Sequence, residues 1–194
     1  MNQLFYTLIT MICISSCVTR LPTPQGIKDI STSEYENIIE SKTKKTEVYD
    51  GFYNKLTIQA TKLDAEMSEN LIAYSAKLSQ WNLEKYKEEK NKLIDNHSTQ
   101  TEFFMSFYTP ERKHDDLSSK QTTWKIYLDV NGQRYEGKAA KVKSLFLDLE
   151  AIYPHHNRWS TPYMVSFPIS TAATETQKMT ITVTGPLATT QINF

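Results

Sequence analysis

The chain has 194 residues, enough for one ordinary domain or for one domain with an appendage. Its 22 lysines and arginines balance 22 aspartates and glutamates, which argues against a nucleic-acid-binding protein, because neutralising phosphates requires a cationic excess. Hydrophobic residues make up 39% and charged residues 23%, a composition typical of a globular protein and not of a disordered one.

The N-terminus carries an apolar run from Leu4 to Ile14. This run is too short to span a bilayer, which needs roughly 20 residues, but it has the length of the apolar region of a secretory signal peptide. The sequence Ile14-Ser15-Ser16-Cys17 follows directly. It resembles the lipobox of bacterial lipoproteins, in which an aliphatic residue and two small residues precede a cysteine that is lipidated and becomes the first residue of the mature chain.

The resemblance covers residues 1–17 alone, and it implies a signal peptide of residues 1–16 and lipid attachment at Cys17. Cleavage before Cys17 would discard Cys13 and leave one thiol, for which lipidation provides a use. Since Val18 and not an aspartate follows, the resemblance implies the periplasmic face of the outer membrane, with the membrane as partner through the lipid anchor. The alternatives are an ordinary secreted protein, in which Cys17 has no special role, and a signal segment that stays uncleaved as an anchor.

Residues 17–45 are interpreted as the lipidated N-terminus and a tether, because prolines and a glycine interrupt residues 18–33 and little apolar periodicity is present. Within this region, residues 34–45 fit either a short helix capped by Ser33 or a disordered continuation of the tether. Residues 46–194 are expected to form one domain.

The domain begins with residues 48–61, whose period of two predicts a half-buried strand. Residues 63–95 then contain neither glycine nor proline. They carry one apolar stripe at helical spacing, which predicts a single long helix over about 63–95. The stripe consists of Leu63, Met67, Leu71, Tyr74, Leu78 and Trp81. The far end of this helix is polar, so we expect it either to project into solvent or to meet a protein partner.

The remaining chain is strand-like, with predicted strands over residues 102–109, 124–130, 163–167, 179–184 and 189–194. Asn131-Gly132 predicts a two-residue hairpin turn that places Asp129 opposite Arg134, a favourable pair of charges. Residues 143–153 fit a helix or a strand, and we favour a short helix.

Six or seven short strands after residue 48 predict a mainly β fold: an antiparallel β-sandwich of immunoglobulin-like architecture with a long α-helix inserted after the first strand. The cysteine–tryptophan–cysteine arrangement of antibody domains is lacking, so "immunoglobulin-like" describes the architecture only. Outward tyrosines such as Tyr53 and Tyr127 could form a sheet face that binds a partner or a glycan, but we favour a face that a second sheet or the long helix covers.

No catalytic residue, metal site or cofactor is predicted. The histidines (His97, His114, His155 and His156) lack the spacing of zinc ligands, and Asp115 and Asp116 do not alternate as calcium ligands do. The loop around His155 and His156 is expected to pack Trp159 and Tyr163 against the edge of the sandwich.

Two functions from different classes fit these observations. The first is a membrane-anchored envelope lipoprotein that acts as a non-catalytic interaction or structural module, without nucleic acid as a partner. The alternative is a cell-envelope enzyme acting on a glycan or cell-wall substrate, with carboxylates or histidines that converge from loops.

Overall fold

The computed structural model describes residues 21–194, which form nine strands and five α-helices. The elements up to the middle of the chain are α1 (Thr32–Lys42), β1 (Thr43–Asp50), β2 (Tyr53–Lys62), α2 (Ala65–Leu78), α3 (Leu83–Thr99) and β3 (Thr101–Tyr108). Those that follow are β4 (Lys125–Val130), β5 (Gln133–Glu136), β6 (Lys138–Lys141), α4 (Phe146–Ile152), β7 (Thr161–Phe167), α5 (Thr171–Thr174), β8 (Met179–Thr184) and β9 (Thr189–Asn193).

The strands form two sheets in which every pair of neighbours is antiparallel. The first sheet has the order β1-β2-β3-β7-β6 and the second has the order β5-β4-β8-β9. Inward-facing side chains of both sheets share one core, for example Phe103 and Met105 of β3 with Leu128 of β4. Gly137 joins β5 to β6 where the chain passes between the sheets, and a Cβ there would lie 2.6 Å from the Phe167 ring.

Helices cover part of the opposite face of the first sheet and form a second core with it. Tyr35 of α1 stacks on Tyr74 of α2, with ring centroids 4.1 Å apart, and donates a hydrogen bond of 2.7 Å to the Ile152 carbonyl. Phe104 of β3 stacks on Tyr153 with centroids 3.5 Å apart. The helices are therefore held to the sheet by buried aromatic side chains.

The strand predictions after residue 100 are confirmed, and so is the hairpin. Asn131 and Gly132 have positive φ angles of 53° and 75°, as a two-residue hairpin turn requires. Asp129 lies opposite Arg134, whose guanidinium donates hydrogen bonds of 2.7 and 2.8 Å to it. The preference for a helix within residues 143–153 is also confirmed, since α4 lies there.

The prediction of one long helix over residues 63–95 is wrong. The segment folds into α2 and α3, and the longer of the two, α3, has 17 residues. The polar half does not project from the domain, because α3 packs on α2 and β3 and buries Tyr86. Both halves of the predicted helix therefore belong to the helical layer.

The break between the two helices is built without glycine or proline. Gln80 adopts a left-handed conformation with φ of 49°, and the Trp81 N–H donates a hydrogen bond of 2.9 Å to the Ala76 carbonyl, which ends α2 as in a Schellman motif. Asn82 then begins α3, because its side chain accepts a hydrogen bond of 2.8 Å from the Lys85 N–H. The Asn82 cap is the one sequence signal of the break.

Two predictions at the start of the domain also need correction. The single strand over residues 48–61 is a hairpin, since β1 and β2 pair across a turn at Gly51, which has a positive φ of 60°. The short helix predicted at residues 34–45 begins earlier, with Ser31 and not Ser33 as its N-cap, and ends at Lys42. Upstream of this helix, Ile27 and Ile30 are buried, so this part of the proposed tether packs on the domain.

The helical core provides a stability test. Met67 of α2 is fully buried, so Met67→Ala should lower the free energy of unfolding by about 2–5 kcal/mol. Leu71→Ala should cost less, because Leu71 is only partly buried. Lys87→Ala on the exposed face of α3 is the matched control and should change stability by no more than about 0.5 kcal/mol. Urea denaturation would measure all three, and equal losses for Met67 and Lys87 would contradict the packing of α2.

Candidate functional site

A groove lies on the outer face of the first sheet, where the helices leave β1 and β2 uncovered. It consists of two adjoining cavities of about 400 and 460 Å³ that share Lys45 and Gln59. The other residues of the first cavity are Glu47, Asn54, Thr57, Tyr108, Asn157, Trp159 and Ser160. Those of the second are Glu36, Ile39, Glu40, Thr43, Pro154 and His155. The groove thus runs between α1 and the loop after α4.

The floor of the first cavity is polar but its charges are paired. Lys45 and Glu47 form an ion pair with an N–O distance of 2.7 Å. The Asn54 amide donates a hydrogen bond of 2.8 Å to the Thr57 hydroxyl, while its carbonyl oxygen is buried without a hydrogen-bond partner among residues 21–194. A buried acceptor without a partner costs about 1–3 kcal/mol, so the position of Asn54 is held at some cost in stability.

A bulge in β2 places Asn54 in the groove. Val48 pairs with Leu56 and Tyr49 pairs with Asn54, so Lys55 is the extra residue and the alternation of faces shifts there. Strict alternation along residues 48–61 would place Asn54 on the same side as Leu56, which faces the core. Sequence reasoning missed this residue because no glycine or proline marks the bulge.

Aromatic side chains border the groove, and others are exposed at the tip of the β1–β2 hairpin. Trp159 lines the first cavity and leaves 73% of its surface exposed. Its loop is held by Asn157, whose side chain accepts a hydrogen bond of 3.0 Å from the Trp159 N–H and one of 3.3 Å from the Ser160 hydroxyl. Tyr49, Phe52 and Tyr53 are exposed at the hairpin tip. The expected packing of Trp159 against a sheet edge is therefore wrong, whereas Tyr163 is buried in the core between the sheets.

The two adjacent histidines fix the loop that forms one wall of the groove. The His155 Nε2 lies 3.2 Å from the Thr61 hydroxyl, and the His156 Nδ1 lies 2.9 Å from the Ser106 hydroxyl. Both rings meet the Phe104 ring edge to face, with centroids 5.8 Å apart. The Gln59 side-chain amide also donates a hydrogen bond of 3.0 Å to the His155 carbonyl.

Burial keeps both histidines neutral at neutral pH. Burial lowers the pKa of His155 to about 4, and the neighbouring His156 contributes a smaller part of this shift. Burial also lowers the pKa of His156, although Glu150 opposes this. These side chains serve as neutral hydrogen-bonding groups that hold the loop on the sheet.

The remaining candidates from the sequence lie elsewhere. The His114 carbonyl accepts a hydrogen bond of 2.7 Å from the Trp124 indole, and Asp115 accepts one of 2.8 Å from Thr161. Burial raises the pKa of Asp115, and hydrogen bonds from Ser118 lower that of Asp116. Their roles in the described structure are therefore to brace the connection between β3 and β4.

No cluster of metal ligands emerges from the described part of the chain: among residues 21–194, no three side chains of the His, Cys, Asp or Glu types come close enough to hold a metal ion. Within the same residues, no helix combines the length and apolar character needed to cross a bilayer. The predicted signal peptide and Cys17 lie outside the described residues. Comparisons with family models, with curated proteins and with solved structures found no match, so function must be inferred from the chain itself.

The neutral His155 predicts an acid-sensitive fold. Below pH 6.5 the unfolded chain binds a proton at this histidine that the folded chain does not bind until about pH 4. The free energy of unfolding should therefore fall as the pH is lowered through this window, by up to about 1.4 kcal/mol per pH unit from this group. The charged residues that line the same cavity stay unchanged in the test; they are Glu36, Glu40 and Lys45.

The measurement compares urea denaturation of the wild type and His155→Gln at several values between pH 7 and pH 4. Glutamine retains a polar group for Thr61 but binds no proton, so the dependence of stability on pH should become less steep. His114→Gln, a change outside the groove, is the matched control. Parallel pH profiles for the wild type and His155→Gln would contradict a buried neutral imidazole.

Proposed function

We propose that this chain is a membrane-anchored envelope lipoprotein that acts as a non-catalytic binding module, with the groove of the first sheet as its binding surface. The observation that carries the proposal is the groove itself, a polar sheet face that the helices leave open and that Trp159 borders. The shared core of the two sheets supports a β-sandwich of immunoglobulin-like architecture as the scaffold, an arrangement that suits recognition by faces and loops.

The ligand that fits the first cavity is a neutral saccharide. Because Lys45 and Glu47 neutralise each other, this cavity offers no excess charge to attract an anion or a cation. A sugar ring instead presents an apolar C–H face for the exposed indole of Trp159 and hydroxyl groups for the polar side chains that line the cavity, such as Thr57 and Gln59. The groove therefore favours a glycan over a nucleic acid, whose phosphates would need cationic partners.

Membrane attachment follows from the lipobox-like sequence that ends at Cys17. Acylation of that cysteine would insert more than one chain into the bilayer, and each buried methylene contributes about 0.8 kcal/mol. We place the protein on the periplasmic face of the outer membrane, where glycan polymers of the envelope are within reach.

The anchor is tested with Cys17→Ala. This change should release the protein from the membrane fraction to the soluble fraction, because it removes the only attachment point for lipid, and mass spectrometry should show that the acyl mass is gone. Ser16→Thr, which keeps the cysteine, is the control for effects of altered processing. Unchanged fractionation and unchanged mass in Cys17→Ala would contradict the proposed lipoprotein.

The binding surface is tested with the soluble Cys17→Ala protein and two neutral oligosaccharides, chitohexaose and maltohexaose, by calorimetry and tryptophan fluorescence. At least one should bind, and Trp159→Ala should weaken that binding by about tenfold or more, which corresponds to about 1.4 kcal/mol. Leu147→Ala removes an exposed side chain outside the groove and should leave affinity unchanged.

Three outcomes would count against this surface or its role. The saccharide proposal fails if neither oligosaccharide binds, and the groove is not the binding surface if Leu147→Ala weakens binding as much as Trp159→Ala. Release of new reducing ends during incubation would favour the alternative, a cell-envelope enzyme that acts on a glycan.

A further inference from the structure

We propose that one corner of the domain faces the lipid bilayer, namely residues 21–26 together with the α2–α3 turn at residues 80–83. We call these residues the anchor corner. The proposal rests on the lipidation of Cys17 proposed above, and it adds the orientation of the domain and the surface that touches lipid.

The chain is fixed to the domain from Pro22 onward. The Gln80 side-chain amide donates a hydrogen bond of 2.9 Å to the Pro22 carbonyl. The Ile27 N–H donates one of 3.2 Å to the Pro24 carbonyl, which closes a turn, and the Ile27 side chain is buried. Further along, Lys77 of α2 forms an ion pair of 2.7 Å with Asp29 and donates a hydrogen bond of 2.8 Å to the Ile30 carbonyl.

The stretch of chain between a lipidated Cys17 and this fixed point is short. Five Cα–Cα steps separate Cys17 from Pro22. Even fully extended they span at most about 18 Å, at roughly 3.6 Å per residue. A domain of about 170 residues has a radius of gyration of roughly 16 Å and measures about 40 Å across. The link is therefore shorter than the domain is wide, and the anchor corner must stay close to the membrane surface.

The side chains of the anchor corner suit contact with lipid. Leu21 is 52% exposed and Leu83 is 39% exposed. Leu83 packs on Gly26, where an added Cβ would lie 3.3 Å from its Cδ1 atom, so Leu83 borders the N-terminal segment. The Lys85 ammonium lies 4.6 Å from the centroid of the neighbouring Trp81 ring. Leucine and tryptophan beside a lysine are typical of the membrane interface, where apolar groups dip below the headgroups and the ammonium stays in water.

A competing surface exists on the same domain. The hairpin tip exposes Tyr49, Phe52 and Tyr53, with Phe52 fully exposed. Apolar character alone would favour the tip as the membrane contact. The short N-terminal link holds the anchor corner near the membrane, but it does not hold the β1–β2 hairpin there. We therefore propose that the anchor corner, and not the hairpin tip, contacts the bilayer.

The two surfaces are distinguished by site-specific labelling of the lipidated protein. After removal of Cys13 and lipidation of Cys17 the mature chain has no free thiol, so Leu83→Cys and Phe52→Cys each introduce a single site for a bimane label. Each labelled protein is reconstituted into vesicles of phosphatidylethanolamine and phosphatidylglycerol that contain a nitroxide-labelled lipid. Quenching of the label should be several-fold stronger at Leu83 than at Phe52.

A variant with a longer link separates the effect of the short tether from that of the label position. Insertion of about 20 glycine and serine residues after Val18 adds a flexible reach of roughly 25 Å and leaves the anchor intact. Quenching at Leu83 should then fall several-fold while the protein still sediments with the vesicles.

Failure of the orientation is distinguishable from failure of the anchor. Protein that sediments with vesicles but shows equal quenching at Leu83 and Phe52, or stronger quenching at Phe52, overturns the orientation alone. Protein that carries no acyl mass and does not sediment overturns the lipoprotein proposal and the orientation with it.

Discussion

Burial of β3 on both faces is the constraint on which the rest of the structure depends. Phe103, Met105 and Phe107 point into the core shared by the two sheets, and Phe104 points into the helical core. A strand that carries large aromatic side chains on both faces must be covered on both sides, because leaving such a side chain exposed would lose the free energy gained by burying it. The second sheet supplies one cover, and the helices with the loop after α4 supply the other.

The second cover is incomplete, and the open groove is the consequence. The loop after α4 reaches Phe104 through His155 and His156, which bond to hydroxyls on neighbouring strands. Toward β1 the apolar side chains give way to Lys45, Thr57 and Gln59, which are polar and can remain exposed to water. The neutral histidine pair, a structural feature of the core, thus also forms one wall of the proposed binding surface.

The N-terminal segment connects the fold to the proposed anchor. In the sequence, residues 18–33 suggest a tether with a reach on the order of 50 Å. In the structure, Ile27 and Ile30 are buried and Pro22 is bound by Gln80, so most of that length belongs to the domain. A long tether would allow the domain to sample many orientations, whereas a short one couples the position of the lipid to one corner.

The sequence by itself determined the features that depend on neighbouring residues. It predicted the Asn131-Gly132 turn with its register, the strands that follow residue 100 and the short helix within residues 143–153, because turn chemistry and periodicity are local properties. On charge it argued against a nucleic-acid partner, and it pointed to Cys17, which lies outside the described residues; both stay predictions. Among the residues that line the groove, the sequence pointed to His155 and Trp159, but it predicted that Trp159 packs against a sheet edge.

Only the tertiary structure decided where helices break and which faces stay open. The apolar stripe runs on through Gln80 because both α2 and α3 bury the same core, so periodicity alone cannot reveal that the chain turns between them. The bulge that moves Asn54 outward also has no signal in the sequence, because it arises where Asn54 pairs with Tyr49 on the neighbouring strand. At such positions strand pairing and core packing override the conformational preference of the local sequence. The stabilising free energy comes from contacts with residues that are distant along the chain, which local patterns do not contain.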